Sequence, residues 1–139
     1  MRIGAYLSPA RWRRGARMLW TWARMPRRVR GEPLSTLLPR QTPAHPAPPT
    51  PDDAVREVAA MAGFLLRLRL PLDNTCLTRS LTLYYCLRAE GVPVQVVFGV
   101  RPGRELREGH AWLELQGRPV MEPAERMRGF SPIFRHPEP

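Results

Sequence analysis

At 139 residues the chain has room for one modest domain, and its net charge of +10 is uneven. Residues 1–40 hold ten arginines and one acid, Glu32, whereas residues 41–139 hold twelve arginines and eleven acids, so the basic character belongs to the N-terminal segment and a nucleic-acid-binding core is excluded. Two cysteines and three histidines exclude a disulfide framework and a Cys/His zinc cluster, and no apolar run approaches the ~18 residues of a membrane span.

Residues 10–25 have the pattern of an amphipathic helix after Pro9, with Trp12, Ala16, Leu19 and Ala23 on one stripe, Trp20 beside it, and Arg14, Arg17 and Arg24 well round from it. Three readings stay open for this helix: packing on the domain, docking a partner, or contact with an anionic membrane surface. The start of the chain is too poor in apolar residues for a signal peptide. Six prolines between 39 and 51 make an extended connector, in which His45 is an exposed bystander. The expected organisation is therefore an Arg-rich helix and Pro-rich connector over residues 1–50 and a globular domain over residues 51–139.

That domain opens on Thr50-Pro51-Asp52-Asp53, an N-cap, a proline at the first helical position and acids in the first turn. Val55, Val58, Ala59, Ala62, Leu65 and Leu66 continue at helical spacing until Pro71. A second helix runs from Cys76 to about Glu90, capped by the Asp73-Asn74-Thr75 run and stopped by Gly91. Leu77, Leu81, Tyr84, Tyr85 and Leu87 make it apolar on more than one side, so it is expected to be buried, with Cys86 as a small core residue. The period then drops to 2 at Val92, Val94, Val96, Phe98 and Val100, predicting a strand. A polar loop over 101–109 leads to a second strand over 110–115, a turn at Gln116-Gly117 and a third short strand to about Met121. The tail, with three prolines, is expected to be loosely ordered.

Chemistry concentrates at the start of the second helix. The first turn of a helix presents orphan N–H groups and the positive end of the dipole, which favour a thiolate at Cys76. Cys86 lies ten residues on, roughly 15 Å along the helix axis, too far for a disulfide. A reducing, cytoplasmic setting follows. A hairpin packed on this helix would bring His110 to Cys76 as its base, with a third group orienting the imidazole. Glu122 is the acid available after the turn, because Glu114 lies about 13 Å along the strand from His110. A two-residue loop would put Glu122 opposite Ala111 and on the wrong face. A three-residue loop, Gln116-Gly117-Arg118 with a glycine bulge, would put it on the face of His110, and this bulged register is the expected one. Asn74, Thr75, Arg79 and Trp112 are the further candidates for substrate or oxyanion contacts, with Arg79 favoured as structural and Trp112 as a packed wall beside the histidine.

The segments Cys76-Leu77-Thr78-Arg79-Ser80-Leu81, Arg88-Ala89-Glu90-Gly91-Val92-Pro93-Val94, Phe98-Gly99-Val100, His110-Ala111-Trp112-Leu113-Glu114 and Gly117-Arg118-Pro119-Val120 resemble the transglutaminase-like core of lasso-peptide biosynthesis proteases, over roughly residues 55–123. The resemblance implies an α+β, papain-like fold with the catalytic helix packed on a small antiparallel sheet and an N-terminal helical extension. It implies a leader peptidase with Cys76 as nucleophile and His110 as base, with Glu122 where an aspartate is usual. It also implies a precursor peptide as substrate, a separate leader-binding recognition-element protein and a lasso cyclase as partners, and no metal or organic cofactor. The basic N-terminal segment offers a docking surface for such a partner or for an acidic peptide. An acyltransferase of the same fold and a non-catalytic peptide-binding module remain as alternatives.

Overall fold

The computed structural model describes residues 9–33, 37–38, 51–70, 72, 75–103, 108–122 and 124–137. Three helices, α1 (Pro9–Gly31), α2 (Pro51–Arg67) and α3 (Cys76–Ala89), precede four strands, β1 (Gln95–Arg101), β2 (Glu108–Leu115), β3 (Arg118–Val120) and β4 (Ser131–His136). A 3₁₀ turn over Ala124–Met127 separates the last two strands. The sheet is antiparallel with order β3-β2-β1-β4. Both α1 and α2 pack on α3, and α3 packs on β2, so the cysteine helix is the centre of the molecule.

Helix α3 forms as its caps require. Thr75 is extended and its Oγ1 accepts from the Thr78 amide at 3.2 Å, which fixes the first turn. At the other end Gly91 takes φ +85°, the Gly91 amide donates to Arg88 O at 2.9 Å and the Val92 amide to Leu87 O at 3.0 Å. This is a Schellman ending, with Val92 and Leu87 both fully buried against each other's side of the turn. Val92 and Val94 then enter the core as extended chain, and the strand proper starts at Gln95. The core joins Leu81, Tyr84 and Leu87 of α3 to Val58, Ala62 and Leu65 of α2 and to Val96 and Leu113 of the sheet.

Helix α1 is longer than its pattern suggests and shares that core. It runs through Pro26, and it buries Met18, Trp22 and Met25. The stripe expected to pack, Trp12, Ala16, Leu19 and Ala23, faces outward instead. Met18, Trp22, Met25 and Val29 repeat the same i, i+4, i+7, i+11 spacing about 120° round the helix, so periodicity alone offers two equivalent faces. The buried one holds the larger side chains and begins near Gly15, where a Cβ would come within 3.1 Å of Met61 Sδ on α2. Arg14, at the edge of that face, bonds Glu57 of α2 and Glu90 at the end of α3, the latter with a 2.8 Å contact, and so joins all three helices.

Two further differences from the sequence reading lie in the sheet. The tail is not loose: β4 pairs with β1 from Ser131 to His136, with a bulge between Phe98 and Gly99. As an edge strand it tolerates Pro132, whose missing N–H would disrupt a central strand. The hairpin between β2 and β3 is not bulged. Leu113 pairs with Val120, Glu114 with Pro119 and Leu115 with Arg118, leaving a two-residue loop. Gln116 and Gly117 take φ +53° and +79°, the left-handed pair a type I′ turn needs to match strand twist. The Pro-rich connector, with His45, lies outside the described residues.

The two faces of α1 make a direct stability test. Trp22 is fully buried and Trp12 is 66% exposed. Urea denaturation is expected to show Trp22→Ala losing about 3–5 kcal/mol and Trp12→Ala less than about 0.5 kcal/mol. Equal losses would contradict the orientation of the helix.

Candidate active site

Cys76 is the first residue of α3, partly exposed, with a free thiol. The Thr78 amide is capped by Thr75 Oγ1 and the Arg79 amide bonds Thr75 O at 2.9 Å. Helix geometry leaves the Cys76 and Leu77 amides as the orphan donors of that end. One turn on, Ser80 Oγ donates to Ala111 O at 3.0 Å, where β2 runs past the end of β3. Cys76 and Ser80 share a helix face at i and i+4, so this buried bond sets the start of α3 beside the strand position next to His110. Sequence reasoning missed Ser80. Its place four residues after Cys76, on the same face of the helix, is the signal that marks it.

His110, Trp112 and Glu114 lie on the face of β2 opposite Leu113, which belongs to the core. The imidazole stacks on Trp112, with centroids 5.8 Å apart and planes at 21°, and meets Phe130 at 5.3 Å. Trp112 is buried and donates its Nε1–H to Glu114 Oε2 at 2.9 Å, while Arg135 of β4 pairs with the other oxygen of Glu114. Gly99, opposite His110 in the register, leaves room for that indole, because a Cβ there would lie 2.6 Å from Trp112 Cη2. Trp112 is thus a wall held from beneath. Phe130, Gly99 and Arg135 complete it, a role that no local pattern assigns to them.

Glu122 reaches His110, but not through the expected bulge. In the observed register, alternation would turn Glu122 away. Strand β3 ends at Val120, and Met121 takes φ +68°, a left-handed conformation that breaks the alternation and swings the next residue round. Glu122 Oε2 then lies 3.0 Å from His110 Nε2. Its other oxygen accepts from Arg79 Nη2 at 2.7 Å. The carboxylate is only 10% exposed, so both contacts operate with little competition from water. With Nε2–H facing a carboxylate, Nδ1 is the nitrogen left with a lone pair. No hydrogen bond joins Cys76 to His110 in this arrangement; the imidazole is gripped by Glu122, and the helix start that carries Cys76 is fixed by Thr75 and Ser80. Asn74 lies outside the described residues, and Arg79 faces Glu122. Among the described residues no three His, Cys, Asp or Glu side chains converge as a metal site.

The profile of the transglutaminase-like superfamily matches residues 12–135, and the chain belongs to that superfamily. The match takes in α1 as well as the hairpin, in keeping with the core those elements share. The superfamily includes cysteine proteases and acyltransferases, and its members are typically enzymes. No curated protein and no solved structure matches the chain.

The two thiols differ in a way that can be measured. Burial pushes the Cys86 thiol from 9.0 up to about 12, with Arg17 pulling it down and Glu90 adding to the rise. A native-state titration with a maleimide is expected to label Cys76 alone at neutral pH, and both thiols after unfolding. The Cys86 contribution to stability is complete below pH 9, where folded and unfolded chains both hold the proton. It is expected to fall as pH rises from 9 towards 12, where the unfolded chain alone has released it. Labelling of Cys86 in the folded protein at pH 7 would contradict this.

The Arg79–Glu122 contact should also be measurable. Arg79→Ala is expected to cost about 1–2 kcal/mol in urea denaturation, the lower part of the range for a bond to a charged group because Arg79 keeps some solvent contact. A double-mutant cycle with Glu122→Gln should recover most of that loss as coupling. Strict additivity would mean that the two side chains act independently.

Proposed function

We propose that this protein is a cysteine endopeptidase that removes the leader from a lasso-type ribosomal precursor peptide, working with a separate leader-binding protein. The observation that carries the reading is the 3.0 Å contact between His110 Nε2 and Glu122 Oε2, twelve residues apart in sequence and both largely buried. An imidazole held by a carboxylate on one nitrogen has its other nitrogen committed to accepting a proton. Membership of the transglutaminase-like superfamily supports thiol acyl chemistry in general. The CLTRSL and HAWLE segments support the leader-peptidase assignment by resemblance.

In this mechanism His110 Nδ1 takes the Cys76 proton and the thiolate attacks the carbonyl at the leader–core junction. The amides of Cys76 and Leu77 receive the developing oxyanion. Collapse of the tetrahedral intermediate breaks the C–N bond, and His110 passes the proton to the leaving amine. Water then attacks the thioester with its proton going to His110, which returns it to sulfur as the carboxylic acid departs. Glu122 orients the imidazole throughout, and Arg79 holds Glu122 in place as a positioning residue. A precursor peptide and its leader-binding protein are the partners this reading calls for, with the lasso cyclase as the consumer of the released core. A cytoplasmic setting is part of the same reading, supported by two cysteines that are both free thiols.

The test is cleavage of a precursor peptide in the presence of its leader-binding partner, followed by mass spectrometry. Cys76→Ala and His110→Ala are each expected to lower leader release by at least about 10³-fold, and Glu122→Gln by about 10²-fold. Cleavage surviving in Cys76→Ala would end the peptidase reading. A product carrying a new amide or ester in place of a free carboxylate would redirect it to acyl transfer.

A further inference from the structure

The outward face of α1 combines exposed apolar side chains with arginines. Trp12 and Trp20 are 66% and 64% exposed, and Ala16, Leu19 and Ala23 are exposed alongside them. Eight residues separate the two tryptophans, about 12 Å along the axis. Exposed arginines at 13, 24, 27 and 30 accompany this apolar strip. The helix contains no acidic residue from Pro9 to Gly31. Among the described residues, Arg13, Arg24 and Arg27 form no ion pair with a carboxylate, and Arg24 instead lies over the Trp20 ring at 5.3 Å. Arg14, which does find acids, sits at the inner edge.

We infer that this face of α1 is a docking surface for an anionic lipid bilayer. Three observations choose lipid over a peptide or protein partner. The charge on the face is of one sign, which complements a phosphate-rich plane. Its largest apolar residues are a pair of tryptophans separated by about two turns, side chains whose amphipathic rings suit the headgroup level. The face is also the outer side of a single helix: the groove between α1, α2 and α3 is lined by Arg14, Arg17, Met18 and Met61, and the cleft of about 280 Å³ beside β3 by Leu66, Leu83 and Val120, so neither of these opens on Trp12 or Trp20. A peptide inserts its anchors into a recess; a flat bilayer needs none. The inner face of the helix is occupied by the core, so the protein itself takes the place that water has on an isolated interfacial helix. No helix among the described residues is long and apolar enough to cross a membrane, so α1 would lie on the surface.

The inference is independent of the peptidase reading. It is tested by sedimentation of the full chain with vesicles of phosphatidylcholine alone and of phosphatidylcholine mixed with phosphatidylglycerol. Binding is expected only to the mixed vesicles, and it should weaken as salt is raised. Trp12→Ala with Trp20→Ala should reduce partitioning about tenfold or more, because binding scales with apolar area buried. Each of Arg13→Gln, Arg24→Gln and Arg27→Gln should reduce it about fivefold. Thermal unfolding and Cys76 labelling should be unchanged in all of these variants, since the replaced side chains project outward. Failure to bind mixed vesicles at low salt, equal binding to neutral vesicles, or undiminished binding by the double tryptophan variant would each overturn the inference. Capture of an acidic protein through these residues without any vesicle binding would reassign the face to a protein partner and equally overturn it.

Discussion

One carboxylate ties the cysteine helix to the histidine strand. Glu122 gives one oxygen to Arg79 of α3 and the other to His110 of β2, and it does so largely out of water. An unpaired carboxylate at that depth would cost several kcal/mol; with a guanidinium and an imidazole as partners, the desolvation is offset. The consequence is geometric. Ser80 on Ala111 O and Arg79 on Glu122 fix the same helical turn to the same end of β2 from two directions. The imidazole then has few ways to turn, since Glu122 holds its Nε2 while Trp112 and Phe130 hold its ring. Trp112 is itself fixed by Glu114, and Glu114 by Arg135. The orientation of His110 therefore depends on a chain of contacts running to β4, an element whose own sequence carries little strand signal.

The parts of this arrangement that rest on local chemistry were legible. Thr75 before Cys76 and Gly91 after Glu90 bound α3 because capping and left-handed backbone are properties of single residues. Cys76 and His110 were singled out as a candidate pair by the same kind of local reasoning; the structure places them on elements that Ser80 and Ala111 join, with no hydrogen bond between the two side chains. The parts that depend on tertiary choice were not legible. Helix α1 carries two stripes of equal spacing, and its buried side is decided by what α2 and α3 present to it. Strand β4 is short, holds a proline and sits at an edge, so its pairing comes from the exposed edge of β1 more than from its own composition. A left-handed Met121 has no sequence signature, since methionine has no preference for that conformation.

The hairpin shows why the tertiary solution differs from the one that alternation suggests. A bulge in the turn would have brought Glu122 to the face of His110, but it would also have slipped every residue of β3. Val120 would then have stood opposite Glu114 and left the core it now joins beside Leu113. Placing the irregularity after Val120 keeps that packing and re-aims Glu122 alone. The left-handed conformation of Met121 costs on the order of 1–2 kcal/mol. The two contacts it permits, each to a charged or polar partner, contribute roughly 1–2 kcal/mol apiece, and more together than the kink costs. The balance favours the kink over the bulge: strain is confined to one residue at the end of an edge strand, next to the group whose position the candidate site depends on.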